Sequence, residues 1–124
     1  MTHMTYESTR KVSSAVCAGV KYTIARMTFG RRIELMRSVR ELTGRHEFER
    51  AGSSIEDRVQ ASLTAAAIDQ LYLNWGLISI EGLEVDGRLA DPQTVALCGP
   101  EALCREIIQA IKHECALTED ELKN

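Results

Sequence analysis

The residues best suited to chemistry are three cysteines and one histidine near the end of the printed sequence: Cys98, Cys104, His113 and Cys115. Structural zinc sites usually place paired ligands roughly two to four residues apart. Here five and ten residues separate the successive cysteines. Cys104 also falls on the apolar face of a predicted helix, where cysteine behaves as a small hydrophobic residue. The spacing therefore predicts no metal site, and no pattern indicates a bound cofactor.

A catalytic nucleophile needs a base within hydrogen-bond reach, and the sequence offers no such pair. His113 and Cys115 stand two positions apart, so on a helix they point to different faces. Glu84 and Asp86 share one face of a predicted strand, but beside a turn they are expected to be solvated. No glycine-rich phosphate loop follows a strand. The sequence thus predicts a binding protein and not an enzyme.

The composition is that of one ordinary soluble domain: 124 residues, 44% hydrophobic and 27% charged. No apolar run approaches the ~20 residues that span a bilayer. The first residues lack the basic, apolar and small-residue order of a secretory signal. We therefore expect a cytoplasmic protein without membrane contact, with its four cysteines reduced.

The charge is distributed unevenly along the chain. Residues 1–50 carry ten basic and five acidic side chains (+5), and residues 51–124 carry five and thirteen (−8), which together give the net charge of −3. Such polarity suits head-to-tail contacts or an oppositely charged partner. Seven arginines between Arg26 and Arg50 could face nucleic-acid phosphates. Interleaved glutamates and an overall pI of about 5.6 favour a salt-bridged helix face instead.

The chain divides into a flexible N-terminal arm (1–18) and a single globular helical domain (19–124). The arm is polar and has no helical period. Val20–Ile24 alternates apolar and polar residues and predicts a short strand. Alternation at 78–80 and 83–85, with Gly82 between them and the turn dipeptide Asp86-Gly87, predicts a small hairpin that the first strand can join.

Helical periodicity predicts about four helices around this β element. The first runs from about Phe29 to Arg50 with Thr28 as N-cap, and its apolar stripe is Phe29, Ile33, Met36, Val39, Leu42 and Phe48. The second opens at a Ser53/Glu56 capping box and ends near Trp75, with Gly76 as a left-handed C-cap. Its stripe includes Ile55, Val59, Leu63, Ile68, Leu71 and Tyr72.

Two shorter helices complete the predicted fold. Asp91-Pro92 caps and starts one of them, and Gly99-Pro100 ends it and starts the last main helix. The core-facing stripe of that helix is Leu103, Ile107, Ile108, Ile111 and Cys115. The fold class is therefore mainly α (α+β), with four or so helices and a two- to three-stranded antiparallel β element.

The order of these features resembles the tail assembly chaperones of long-tailed bacteriophages and prophages. The pattern runs over about residues 20–124, as Tyr72-Leu73-x-Trp75-Gly76-Leu77, Gly82-Leu83-x-Val85-Asp86-Gly87, Asp91-Pro92, Gly99-Pro100-x-x-Leu103 and a final Lys123-Asn124. Such proteins are similar in having a Trp near a helix end, a Gly-Leu…Asp-Gly turn, a helix opened by Pro or Thr and an acid-Lys-Asn ending.

The resemblance implies a non-enzymatic morphogenesis factor in the host bacterial cytoplasm that binds tape-measure and tail-tube proteins and can self-associate. The expected partner-binding residues are Trp75, Leu77 and Ile78 at the helix–hairpin junction and a ridge of Arg31, Arg32 and Arg37. The alternative hypothesis is a small DNA-binding or head–tail adaptor protein that uses the Arg-rich helix. A third is a stand-alone bacterial adaptor of no phage origin.

Overall fold

The computed structural model describes residues 2–117 and Glu121. That part of the chain contains four helices and two antiparallel sheets of three and two strands, which confirms the predicted mainly α (α+β) class. In chain order the elements are β1 (Thr9–Ser13), β2 (Lys21–Ala25), α1 (Phe29–Ala51), α2 (Ile55–Gly76), β3 (Leu77–Glu81), β4 (Glu84–Val85), β5 (Arg88–Leu89), α3 (Pro92–Cys98) and α4 (Glu101–Cys115). Apart from Glu121, the acid-Lys-Asn ending lies outside the described residues.

β2 is the central strand of the larger sheet, between β1 and β3. Tyr22 pairs with Val12 on one side and with Ile80 on the other, both in antiparallel register. The predicted strands around residues 20–24 and 78–80 are thereby confirmed as neighbours. The second sheet is the β4–β5 hairpin, whose turn residues Asp86 and Gly87 have φ of 52° and 80°. Two positive φ values define the tight turn that suits the twist of a hairpin.

The prediction of an arm without secondary structure is wrong for residues 9–13, which form β1. Two carboxylates on α4 hold this segment. Glu106 accepts hydrogen bonds from the Ser14 hydroxyl at 2.8 Å and the Ala15 amide at 2.7 Å. Glu114 accepts from Arg10 at 3.3 Å and from Arg26 at 3.0 Å. A polar segment can therefore be ordered when its donors meet carboxylate acceptors on a helix far away in the sequence.

The start of α1 agrees with the sequence, because the Thr28 hydroxyl accepts from the Arg31 amide at 3.2 Å. The start of α2 is one residue later than predicted, since Ser54 and not Ser53 caps it, accepting from the Asp57 amide at 3.0 Å. The end of α2 also differs. Gly76 is the last helical residue and not a left-handed cap. Its lack of a side chain serves packing: a Cβ there would lie 2.6 Å from Cγ2 of the buried Ile111.

The starts of the last two helices are confirmed. The Asp91 carboxylate accepts from the Thr94 amide at 2.8 Å with Pro92 in the first turn, and α4 begins after Gly99-Pro100. All five residues of the predicted α4 stripe are buried. They pack with β2, α3 and the C-terminal part of α2, where the core includes Tyr22, Ile24, Tyr72, Leu73 and Val95. None of the helices within residues 2–117 has the length and apolar character needed to cross a membrane.

The predicted stripes of α1 and α2 are only partly buried. Val39 is fully buried, but Phe29 and Phe48 are 85% and 82% exposed. On α2, Tyr72 is buried, whereas Ile55, Val59 and Leu63 are 77%, 55% and 59% exposed. The sequence predicted the apolar stripes but not what lies against them; α1 packs mainly on α2, and these positions stay open to solvent.

Candidate interaction surface

The distal hairpin, residues 45–66 at the connected ends of α1 and α2, has the reverse of the usual distribution of side chains. Its buried residues are Glu49, Ala61 and Thr64. Its large apolar side chains, Phe48, Ile55, Val59 and Leu63, are all exposed. Large contiguous apolar patches on monomeric proteins often mark binding sites, and Ile55, Val59 and Leu63 follow one another along α2. The distal hairpin is therefore the first candidate for a partner-binding surface.

A hydrogen bond between buried side chains holds the two helices together at this end. The Thr64 hydroxyl donates to the Glu49 carboxylate at 2.7 Å, and the two residues are only 3% and 8% exposed. Ala61, the other buried residue on this part of α2, contributes little apolar area. The interior contact is thus small and polar, which leaves the apolar side chains of the distal hairpin for another surface.

Four residues of α2 form an apolar row that we call the α2 stripe: Ile55, Val59, Leu63 and Ala66. Their spacing places them on one helical face. Farther along α2 the same face carries Leu73, which is 3% exposed and belongs to the core cluster together with residues of α3 and α4. The apolar face therefore continues along α2, but it is buried at Leu73 and exposed at Ile55, Val59 and Leu63. Within the α2 stripe, Leu63 and Ala66 share a groove with residues of α3 and α4, while Ile55 and Val59 are 77% and 55% exposed.

The α2 stripe leads into two adjoining grooves. The first, about 400 Å³, lies between α2 and α4 and is lined by Leu63, Ala66, Leu73, Ala96 and Ile108, among others. The second, about 340 Å³, lies between α2 and α3, shares Gln70 and Ala96 with the first and ends at Asn74 and Leu97. We call the stripe and both grooves the α2 trough. From Ile55 to Asn74 it follows α2 for about 29 Å at the ~1.5 Å rise per helical residue.

Ion pairs set the width of the α2 trough by joining α4 to α2. The Asp69 carboxylate accepts from Arg105 at 2.8 Å and from Lys112 at 2.7 Å. Lys112 also lies over the Tyr72 ring, 5.4 Å from its centroid. Arg105 is 3.9 Å from Glu101, whose side chain is 86% exposed at the groove. Sequence analysis missed this cluster because its members on α2 and α4 are 36 and 43 residues apart.

The outer face of α1 is a second uncovered surface. Phe29, Ile33, Arg37 and Phe48 lie on the side of the helix opposite the buried residues Leu35 and Val39, and we call them the α1 outer stripe. Arg37 is exposed and Ile33 is 40% exposed. Aromatic residues and arginine are the types most enriched at protein interfaces. The hairpin therefore carries apolar residues on two faces that point away from each other.

The three residues expected at the helix–hairpin junction do not share one exposed surface. Leu77 is 5% exposed and opposes Ile24 in the sheet, so it belongs to the core. Ile78 follows it on β3 and is 44% exposed, because successive strand residues point to opposite faces. Trp75 is half-buried and packs against the core. Of the three, Ile78 is the most accessible to a partner.

The expected arginine ridge is also divided by the structure. The Arg31 guanidinium donates to the Ser8 carbonyl at 2.9 Å, and Arg32 donates to the Glu121 carboxylate at 2.5 Å. Both side chains therefore hold segments from near the two ends of the described chain. Arg37 lies farther along α1 on the α1 outer stripe. The structure thus places Arg37 with the exposed aromatic residues and not with Arg31 and Arg32.

The cysteines occupy separate environments. Cys98 is exposed, while Cys104 is half-buried and its thiol donates to the Val95 carbonyl at 3.3 Å. Burial raises the pKa of the Cys104 thiol, and burial together with Glu114 raises the pKa of Cys115 to about 11. Within residues 2–117 and Glu121, no three His, Cys, Asp or Glu side chains are grouped closely enough to hold a metal ion.

Comparison with known proteins assigns neither a family nor a function to the chain. No protein-family model, curated protein sequence or solved structure matches the chain.

Proposed function

We propose that this protein is a non-catalytic phage tail assembly chaperone that binds a helical segment of the tape-measure protein in the α2 trough. The observation that carries the proposal is the reversed burial of the distal hairpin, which keeps Glu49 and Thr64 inside and Ile55, Val59 and Leu63 outside. The phage context, including tail-tube protein as a second partner, rests on the order of sequence features described above.

The α2 trough has the form of a groove that accepts a helix. Amphipathic helices bind in apolar grooves through residues that recur every three to four positions, roughly one per turn. Small side chains at Ala66, Ala67 and Ala96 line the grooves and allow a helix backbone to approach closely. The grooves flank α2 from Leu63 to Asn74, about 17 Å, and the exposed Ile55 and Val59 extend the apolar face to about 29 Å. A bound helix of about 20 residues would therefore lie partly in the grooves and partly along the open face. Burial of its apolar face there would shield a long helical client from aggregation until the tail is assembled.

The DNA-binding adaptor hypothesis has less support from the geometry. Two arginines of its ridge, Arg31 and Arg32, are already engaged by Ser8 and Glu121. Phosphate contacts require exposed cations on one face. Binding of the purified chain to duplex DNA at low salt, with a steep loss as salt increases, would favour the adaptor over the chaperone.

Co-expression with the tape-measure protein of the same genome tests the proposal. We expect the wild-type chain to raise the soluble fraction of the tape-measure protein severalfold. Leu63→Glu should abolish that gain, because it places a charge in the apolar trough. Gln60→Glu adds the same charge at an exposed polar position beside the stripe and serves as the matched control. No gain with wild type would contradict the function, and full activity of Leu63→Glu would contradict the site.

A further inference from the structure

A cavity of about 280 Å³, which we call the α1–α2–α4 cavity, lies between α1, α2 and the C-terminal end of α4. We propose that this cavity binds a small carboxylic acid with an apolar body, whose carboxylate accepts hydrogen bonds from the Lys112 ammonium and the Tyr72 hydroxyl. The site goes beyond the proposed function, because it shares no lining residue with the grooves of the α2 trough and needs no phage client.

Apolar side chains from three parts of the chain form most of the cavity wall. They are Val39 on α1, Ile68 on α2, and Ala116 and Leu117 directly after α4. Val39 is fully buried, and Ile68 and Leu117 pack against the core. Small-molecule sites are typically apolar in this way and contain a few polar groups that orient the ligand. The volume is just below the roughly 300 Å³ of small ligand pockets, so the occupant must be a small molecule and not a peptide helix.

Tyr72 is the exception among the three tyrosines of the chain. The Tyr6 hydroxyl donates to a main-chain carbonyl at 2.7 Å, and Tyr22 interacts with the Glu106 carboxylate. Tyr72 is only 5% exposed, yet its hydroxyl has no hydrogen-bond partner in the part of the chain that the structure describes. Polar groups at such depth are nearly always hydrogen-bonded. The Tyr72 hydroxyl is therefore a donor that can serve a ligand.

The accessible side of the Tyr72 hydroxyl lies at the cavity. Among the described residues, every side-chain nitrogen or oxygen that is fully buried has a hydrogen-bond partner. Because the Tyr72 hydroxyl has none, it must keep some contact with solvent. Tyr72 lines the α1–α2–α4 cavity and neither groove of the α2 trough. A molecule in the cavity can thus reach this hydroxyl.

Lys112 supplies a positive charge to the same cavity, and no other lining residue among those described is charged. Its ammonium lies 5.4 Å from the centroid of the Tyr72 ring, so the two donors are neighbours. One ammonium hydrogen is used by Asp69, at 2.7 Å, and Asp69 lies on the trough side of α2, where Arg105 also binds it. An ammonium has three donors. Two of them remain for a ligand.

The chemistry of the lining selects a carboxylate over a neutral group. Burial raises the pKa of Tyr72 to about 12, so at neutral pH its hydroxyl keeps the proton and donates. Thr43 adds a second hydroxyl to the lining, and no acidic side chain among the described residues lines the cavity. Hydrogen bonds that involve an ionised group are stronger than neutral ones. A purely apolar molecule would instead leave the donors unsatisfied.

Titration of the isotope-labelled full-length chain with hydrocinnamate, followed by amide chemical shifts, tests the inference. This probe joins a phenyl ring to a carboxylate through a short chain. We expect saturable binding with a Kd of about 1 mM or below, which is reasonable for so small a molecule. The shift changes should centre on Val39, Ile68, Tyr72 and Leu117. Hydrocinnamamide has the same body without the charge and should bind at least about tenfold more weakly.

Two variants identify the donors. Tyr72→Phe removes the hydroxyl and Lys112→Met removes the charge, and each should weaken binding of hydrocinnamate by about tenfold or more. Tyr6→Phe and Arg88→Met remove the same groups outside the cavity and should leave the Kd within twofold of wild type. Tyr72→Phe keeps the ring and its packing, so it carries the test even if loss of the ion pair with Asp69 unfolds Lys112→Met.

Several results would overturn the inference. One is the absence of saturable binding to wild type. Another is a set of shift changes centred on Leu63 and Ala66 in the α2 trough, which would show that the probe binds any apolar groove. Equal affinity for the acid and its amide, or an unchanged Kd for Tyr72→Phe, would also contradict the site. Since no partner protein is present, these outcomes are independent of the tape-measure experiment.

Discussion

The Glu49 carboxylate is an unusual group to find in a contact between two helices. It is 8% exposed, and its hydrogen-bond donor is the neutral Thr64 hydroxyl. Burial of a carboxylate opposes folding unless hydrogen bonds replace its hydration. A pair of apolar residues would pack the two helices more tightly. The buried Glu49–Thr64 hydrogen bond is therefore expected to add little to the free energy of unfolding, although it lies between the two helices.

A double-mutant cycle at Glu49 and Thr64 measures this contribution. Thr64→Val removes the donor and leaves the carboxylate unsatisfied, which should lower the free energy of unfolding by about 1–3 kcal/mol. Glu49→Leu combined with Thr64→Val removes both polar groups and should recover most of that loss or exceed the wild-type value. Urea unfolding followed by circular dichroism gives the four free energies. A double variant less stable than Thr64→Val alone would contradict this account.

Individual glycines show what a sequence can and cannot specify. Gly76 follows a periodic apolar run, and that pattern is typical of a left-handed cap. The structure instead uses Gly76 for a close approach to Ile111, which lies 35 positions later. Gly82 does need its positive φ of 84°, and a Cβ there would overlap the Gly19 carbonyl oxygen. Local pattern identifies a special glycine, but only the distant partner decides its role.

At the scale of elements, β1 is the part of the sheet that depends most on charge. None of its residues is fully buried. It is held by pairing with β2 and by the Glu106 and Glu114 carboxylates of α4. The Glu114 side chain is 15% exposed and binds two arginines at once. A partly buried carboxylate that is shared by two arginines contributes more to stability than an isolated surface ion pair does.

Replacement of Glu114 by glutamine should therefore loosen β1 selectively. We expect amide hydrogen exchange to become about tenfold faster across residues 9–13, because the neutral amide cannot retain both arginines. The β2–β3 amides should keep their protection. Glu41→Gln breaks the exposed pair with Arg45 at 3.4 Å and is the matched control, expected to leave β1 unchanged. Equal loss of protection across all three strands would show that Glu114 supports the whole sheet.

The helices also show where sequence reasoning succeeds and fails at this scale. Periodicity predicted α4 and its buried stripe correctly, because other elements cover that face along its length. On α1 and α2 it found the apolar faces, of which the structure buries only a part. A period of 3.6 shows that a face is apolar, not what covers it. The reversed burial of the distal hairpin, and with it the candidate site, depends on where α3 and α4 end and could not be predicted locally.

At the scale of the whole molecule, several ionisable groups are built into the core in their neutral forms. Burial and the neighbouring Glu106 raise the pKa of Tyr22 to about 12. Burial, with a smaller effect of Cys115, raises the pKa of Tyr72 to about 12 as well. The Cys115 thiol, raised to about 11, lies in the same core cluster. Each group keeps its proton in the folded protein at a pH where the unfolded chain loses it.

Stability should therefore fall in alkaline solution, in a window that these groups define. A group whose pKa is raised by folding stabilises the folded chain fully at any pH below its pKa in the unfolded chain, which is near 9 for the thiol and 10 for the phenols. This stabilisation is lost as the pH rises toward the pKa in the folded chain, about 11 for the thiol and 12 for the phenols. The contribution of each tyrosine to the free energy of unfolding should fall by on the order of 1 kcal/mol by about pH 11. Urea unfolding at about pH 8 and 11 measures the loss.

Tyr72→Phe provides the variant that assigns this loss to a particular residue, because its ring can keep the apolar packing without the ionisable hydroxyl. The variant should resemble wild type near neutral pH and lose less stability in alkali. Phenolate absorbance should likewise appear at higher pH in the folded protein than in the same chain unfolded in urea, since the folded core holds both phenols neutral. An identical pH dependence for variant and wild type would show that Tyr72 ionises as freely in the folded chain as in the unfolded one, and the buried ring would then contribute to packing alone.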